Sequence, residues 1–141
     1  MVDKIIYDKE IKHHIIRFYP NEDLLESLNN YLIKNNIKAA TVISCVGSLC
    51  NLKIRLPDLS ILEEKESFEI VSLVGNIGIN RTHLHISVGN SKGVCIGGHM
   101  LNNNIIYTTA EIVIIEYKGL EFIGIEDEET KFKELKIKQT E

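Results

Sequence analysis

From Ala39 onward this chain is a succession of short runs rich in Ile, Val, Leu and Thr, cut by Gly, Asn and Pro-Asp, and that pattern commits it to a sheet-based fold. Branched side chains lose rotamers against a helical turn but pack well on a pleated surface, so such runs are expected as strands. The expected strands are Ala39 to Val46, ending at Gly47, and Leu49 to Leu56, closed by Pro57-Asp58. Phe68 to Val74, Thr82 to Val88, Val94 to Ile96, Ile105 to Thr108 and Ile112 to Tyr117 follow. Gly89-Asn90 and Asn103-Asn104 are the expected hairpin turns. Ile5 to Tyr7 and Ile15 to Tyr19 make two earlier strand candidates, the second stopped by Pro20. The last fifteen residues are charged, yet Phe132, Leu135 and Ile137 are spaced to dock one more strand.

One helix interrupts this pattern, over about residues 22–35. Asn21 can cap it, and Glu22 and Asp23 sit in the first turn, where the helix dipole favours acids. Leu24, Leu28, Tyr31 and Leu32 repeat at the spacing of one buried stripe, and Asn35-Asn36 offer a stop. One helix among many short strands defines an α+β domain, mainly antiparallel sheet. At 141 residues the chain is expected to form a single domain, 1–141.

Bulk properties narrow the function classes. No apolar stretch reaches the eighteen or so residues a membrane helix needs, and the N-terminus has no signal-peptide core, so a cytoplasmic protein is expected. Cys45, Cys50 and Cys95 are odd in number and lie in no Cys-x-x-Cys, which fits a reducing compartment. The net charge of -4 argues against strong binding to a phosphate backbone.

The chemistry concentrates in the histidines. Alternate residues of a strand share a face, so His83 and His85 project side by side, about 7 Å apart at Cα, with Leu84 turned to the core. If the two neighbouring runs form a hairpin, His99 returns beside them, and Gly97-Gly98 just before it allow the backbone to bend and aim the ring. Three neutral imidazoles can hold one divalent ion, most readily zinc, and leave a coordination position open. Cys95 could fill that position only if the glycines leave the strand unbroken. A lone His-x-His is most often a pair of surface or hydrogen-bonded histidines; the third histidine is what lifts this set above that reading. The adjacent pair His13-His14 faces opposite ways and is read as ordinary.

Glu111, in an apolar and Thr-rich run, could act as a general base beside the ion or orient a ligand histidine, or simply be a strand Glu paired with a lysine. Thr109 and Asn76 are candidate ligand-binding residues, with Thr108, Ser87 and Gly75 as neighbours of the same pocket. The lysines at 131, 133, 136 and 138 are read as the solvated face of an edge strand, where they discourage aggregation.

With these residues in hand, the chain resembles the plants-and-prokaryotes conserved (PPC) domain family. The resemblance is carried by Phe68 to Asn76, His83-Leu84-His85, Gly97-Gly98-His99-Met100-Leu101 and Thr109-Ala110-Glu111-Ile112. Arg17, Pro20-Asn21-Glu22-Asp23 and Val46-Gly47-Ser48-Leu49 extend it to the beginning; Asp127, Thr130, Phe132, Glu134 and Leu135 extend it to the end. It implies an α+β antiparallel fold, a homotrimer and, in stand-alone prokaryotic members, a metal held by three histidines, which map onto His83, His85 and His99. Plant members join the domain to an AT-hook and act in the nucleus; these residues contain no Arg-Gly-Arg-Pro hook.

Three functions fit these residues. The first is a metal-binding homotrimer with a small-ligand or regulatory role. The second is a DNA-binding or transcription-associated protein. The third is a zinc-dependent hydrolase or lyase with Glu111 as base, for which no substrate is legible, so the balance leans away from an enzyme.

Overall fold

The computed structural model describes residues 2–140. It contains β1 (Ile11–Phe18), α1 (Leu24–Lys34), β2 (Ala39–Arg55), β3 (Ile61–Glu64), β4 (Phe68–Gly78), β5 (Thr82–Gly89), β6 (Cys95–Met100), β7 (Ile105–Tyr117), β8 (Leu120–Glu126) and β9 (Lys133–Gln139). Every pairing among them is antiparallel, as the α+β reading expects.

Several boundaries differ from the sequence expectations, each for a physical reason. The runs expected as Ala39 to Val46 and Leu49 to Leu56 are one 17-residue strand. Register shifts against β7 at Val42/Ser44 and Gly47/Leu49 bend that strand without ending it, as bulges do. Ile105 to Thr108 and Ile112 to Tyr117 likewise merge into the 13-residue β7. The short β3 and β8 were not expected, and Ile5 to Tyr7 forms no strand. The helix is capped by Asp23 rather than Asn21: the Asp23 carboxylate accepts the Glu26 N–H at 3.2 Å, while Asn21 takes a left-handed φ of 72°.

The main sheet runs β1-β7-β2-β4-β5-β6, and the far end of β2 pairs again with β6. Strands β2, β4, β5 and β6 therefore close on themselves. Inside lie Leu52, Ile54, Leu73, Ile77, Leu84, Ile86, Val88 and Met100, all buried. Leu24, Leu28 and Leu32 of α1 belong to the same core. The β8–β9 ribbon is a separate two-stranded sheet, seated through Leu120 and Phe122 on a smaller cluster with Ala39.

Candidate metal centre

Strand parity puts the histidines on the outer face of the closed sheet. On β5, Leu84, Ile86 and Val88 face the core, so His83 and His85 face out. On β6, Met100 faces the core and His99 faces out. His99 stands directly opposite His85 on one side and Arg55 on the other, giving a cross-sheet row of Arg55, His99 and His85 with His83 one step along.

The glycine pair makes this row possible, but not by bending. Gly97 and Gly98 stay in register with Ser87 and Ile86, inside an unbroken β6. A Cβ on Gly97 would come 2.9 Å from the Ile86 carbonyl oxygen, and one on Gly98 would come 2.9 Å from that of Arg55. The missing side chains let β6 fit closely between β5 and β2. The parity that would aim Cys95 at the same face is thus intact, yet Cys95 is four residues from His99, about 13 Å along a strand. It is an exposed free thiol outside the cluster.

The three rings lie with centroids 5.0 Å (His83–His85), 5.7 Å (His83–His99) and 5.7 Å (His85–His99) apart. One nitrogen from each falls within 4.8 Å of the other two. Two nitrogens on one tetrahedral zinc are about 3.4 Å apart, so small side-chain rotations close the set around an ion. Electrostatics prepares it. Burial, then the Arg55 guanidinium, push His99 down to about 4, and burial, then Arg81, lower His83. Both rings are therefore neutral near pH 7, the form that ligates metals.

Arg81 is fixed over the cluster. Its Nε donates to the Lys133 carbonyl at 3.2 Å, Nη1 to Asn76 Oδ1 at 2.5 Å and Nη2 to His83 Nδ1 at 2.9 Å. Arg55 lies under the ring of Phe132, its Cζ 5.1 Å from the centroid. Two grooves meet at this ridge: one of about 290 Å³ lined by Arg81, Lys133 and Glu134, another of about 410 Å³ lined by Pro57, Leu59 and His85. Arg55, His83, His99 and Phe132 border both.

The structure sorts the other candidates. Asn76 stands opposite His83 and reaches the site through Arg81. Gly75 does not end a strand, because β4 continues to Gly78. Glu111 and Thr109 are not brought to the histidines: β7 is three strands from β5, about 14 Å at the usual spacing. Exposed Glu111 instead accepts from Thr109, which accepts from Arg17 Nε at 3.0 Å. Within one chain Glu111 is therefore not placed to act as base on a water held by the triad. Thr108 pairs with Ser48, also away from the site. Lys133 is an exposed lysine on an edge strand, as expected, and it also borders one of the grooves.

His13 and His14 face opposite ways and neither joins the cluster, as expected; His14 has a structural role, its Nδ1 meeting the Tyr31 hydroxyl at 2.7 Å and its Nε2 meeting buried Glu116 at 2.9 Å, tying α1 to β1 and β7. Arg81 and Arg55 at the centre were not expected from sequence, and Phe132 was expected only as a strand-docking residue. Arg81 carried a signal, since it shares parity with His83 and His85; Arg55 arrives through long-range strand pairing and Phe132 from the bend before β9 through its contact with Arg55, and local pattern signals neither.

A small α+β domain with an outward histidine triad on a closed antiparallel sheet defines the class. The Plants and Prokaryotes Conserved (PCC) domain matches residues 6–118, and the chain belongs to that family. A bifunctional protein GlmU from Synechococcus is 34% identical over 130 residues, 90% of this chain, which spans 20% of that relative's length. A hypothetical protein from Salmonella superposes with a TM-score of 0.89 at 28% identity, covering 94% of this chain and 96% of that one. A plant- and prokaryote-conserved protein from Pyrococcus horikoshii gives 0.76 at 25%, covering 94% and 99%. Two folds at 21% identity are a candidate DNA-binding protein from Bacteroides thetaiotaomicron (TM-score 0.75, 96% and 98% covered) and a metal-containing protein from Archaeoglobus fulgidus (0.76, 94% and 99%).

Proposed function

We propose that this chain binds one divalent metal ion, zinc foremost, through His83, His85 and His99, as a homotrimer with a small-ligand or regulatory role. The observation that carries this reading is the convergence of three nitrogens within 4.8 Å on a face where no packing requirement puts them. The description of the Archaeoglobus neighbour as metal-containing accords with it. A bound dication would supply an electrophilic centre that attracts anionic or neutral oxygen donors.

The assembly is supported by the same outer face. Ile15, Ile43, Val46, Val71, Val74 and Tyr107 are between 48% and 84% exposed there, an apolar patch suited to another copy of the chain. Val74 is the direct cross-strand partner of His85, so the histidines border that face. Among the described residues no helix is long and apolar enough to cross a membrane. The three free cysteines fit a reducing cytoplasm.

Elemental analysis of purified protein tests the metal: one equivalent per chain is expected, lost in His83→Ala, and a metal-free wild type overturns the reading. Light scattering tests the assembly, with three times the 16.0 kDa chain mass expected. A DNA-associated role is the second reading, favoured by the Bacteroides neighbour. It requires gel-shift binding that weakens steeply with salt, and no binding at low salt removes it.

A further inference from the structure

We propose that the histidine centre is a receptor for a small oxyanion-bearing molecule, a carboxylate or a phosphate, held by Arg55 and Arg81 above the metal. The inference rests on the metal-binding reading and adds the chemical class of the ligand. Three observations carry it.

The first is charge. Neutral histidines bring no negative charge to a dication. The groove beside them adds Arg55, Arg81 and Lys133 against Glu134 alone. A purely structural cation site is normally balanced by thiolates or carboxylates. Two arginines crowded against a dication are like charges, and the arrangement becomes favourable when an anion sits among them.

The second is the hydrogen bonding of Arg81. A guanidinium only donates, and here Nη2 donates to His83 Nδ1 at 2.9 Å. Metal binding removes that acceptor by either route. If Nδ1 ligates, its lone pair goes to the ion; if Nε2 ligates, the neutral ring carries its proton on Nδ1, and two donors face each other. Nε and Nη1 keep the Lys133 carbonyl and Asn76 Oδ1, so the fork stays in place while Nη2 is released. Loading the metal thus frees an aimed donor beside the ion, open to the groove. An oxygen of a metal-bound anion is the acceptor it lacks.

The third is shape. Arg55 stands opposite His99 in register, on the other flank of the triad from Arg81. Its guanidinium is stacked by Phe132, which borders both grooves and offers an apolar surface to the body of a ligand. Cavities of about 290 and 410 Å³ suit a metabolite-sized molecule rather than a polymer.

Calorimetric titration of the metal-loaded protein with inorganic phosphate, and separately with acetate, tests this. Metal content is measured in every sample. At least one anion is expected to bind once per chain, to bind poorly to metal-free protein, and to weaken by about tenfold or more in Arg81→Gln and in Arg55→Gln. Arg81→Lys, which keeps the charge and loses the fork, should fall between. Binding by acetate alone assigns a carboxylate ligand; binding by phosphate alone assigns a phosphate. If the loaded protein binds neither anion, or both arginine variants bind like wild type, the proposal is wrong while the metal reading stands. If wild type takes up no metal, both fall.

Discussion

Replacing Gly75 by Ala should damage the fold and the metal centre together. Gly75 sits in mid-strand on β4 with φ of 138°, opposite Leu84, and a Cβ there would lie 1.9 Å from the His83 carbonyl oxygen. Ordinary contact begins at 3.4 Å, so β4 and β5 must part by 1.5 Å at the residue that carries a ligand ring. Backbone strain for a side chain at such φ costs about 1–3 kcal/mol. Losing one or two ladder hydrogen bonds adds about 0.5–1.5 kcal/mol each. The sum, about 1.5–6 kcal/mol, is a large share of the roughly 5–15 kcal/mol that holds a domain together. Moving His83 should also weaken metal binding by about 10–100-fold, the range seen when a ligand's support is lost. Urea unfolding of metal-free protein and competition with a chelator read the two effects. Gly93→Ala is the control: its φ is 78°, but nothing lies within 4 Å of its Cβ position, so it reports strain without the clash. A Gly75→Ala protein that loses under about 1 kcal/mol and keeps its metal affinity would refute the reasoning.

Further outcomes follow from other parts of the chain. Glu111→Gln and Cys95→Ala should leave metal content unchanged by elemental analysis, because neither residue belongs to the cluster. His14→Ala should cost about 2–4 kcal/mol in urea unfolding without altering metal binding, since it leaves Tyr31 and buried Glu116 short of partners. The metal-free protein should lose stability as pH falls from about 6.5 toward 4. Folded His99 is pushed down to about 4, whereas an unfolded imidazole protonates near 6.5, so the unfolded chain binds more protons across that window. His99→Gln should flatten this slope, and equal slopes in the two proteins would remove the assignment.

The centre was legible in one dimension and not in two. Parity along one strand put His83 and His85 together and turned Leu84 inward, as found. The fold class was equally readable from the run of branched residues. Sheet order was not: Glu111 looked close because its strand is rich in Thr and apolar residues, but β2 and β4 lie between it and the histidines. Strand length failed for a related reason. Gly47 reads as a stop in sequence, whereas pairing of β2 with β7 carries the backbone through bulges. The contribution of Arg55 depends on the register Arg55↔His99, across 44 residues of chain, and that of His14 on Glu116, 102 residues away. Local pattern contains no information about such partners. Gly97-Gly98 show a subtler limit: glycines beside a ligand suggest a hinge in sequence, whereas here they serve close packing of strands.

The central claim is tested most directly by a crystal structure of metal-loaded protein with anomalous diffraction at the metal edge. One ion per chain is expected, within about 2.0–2.2 Å of a nitrogen from each of His83, His85 and His99, with Arg81 no longer donating to His83. An ion bound elsewhere, or a triad that stays empty at saturating metal with the Arg81–His83 hydrogen bond intact, would contradict the account.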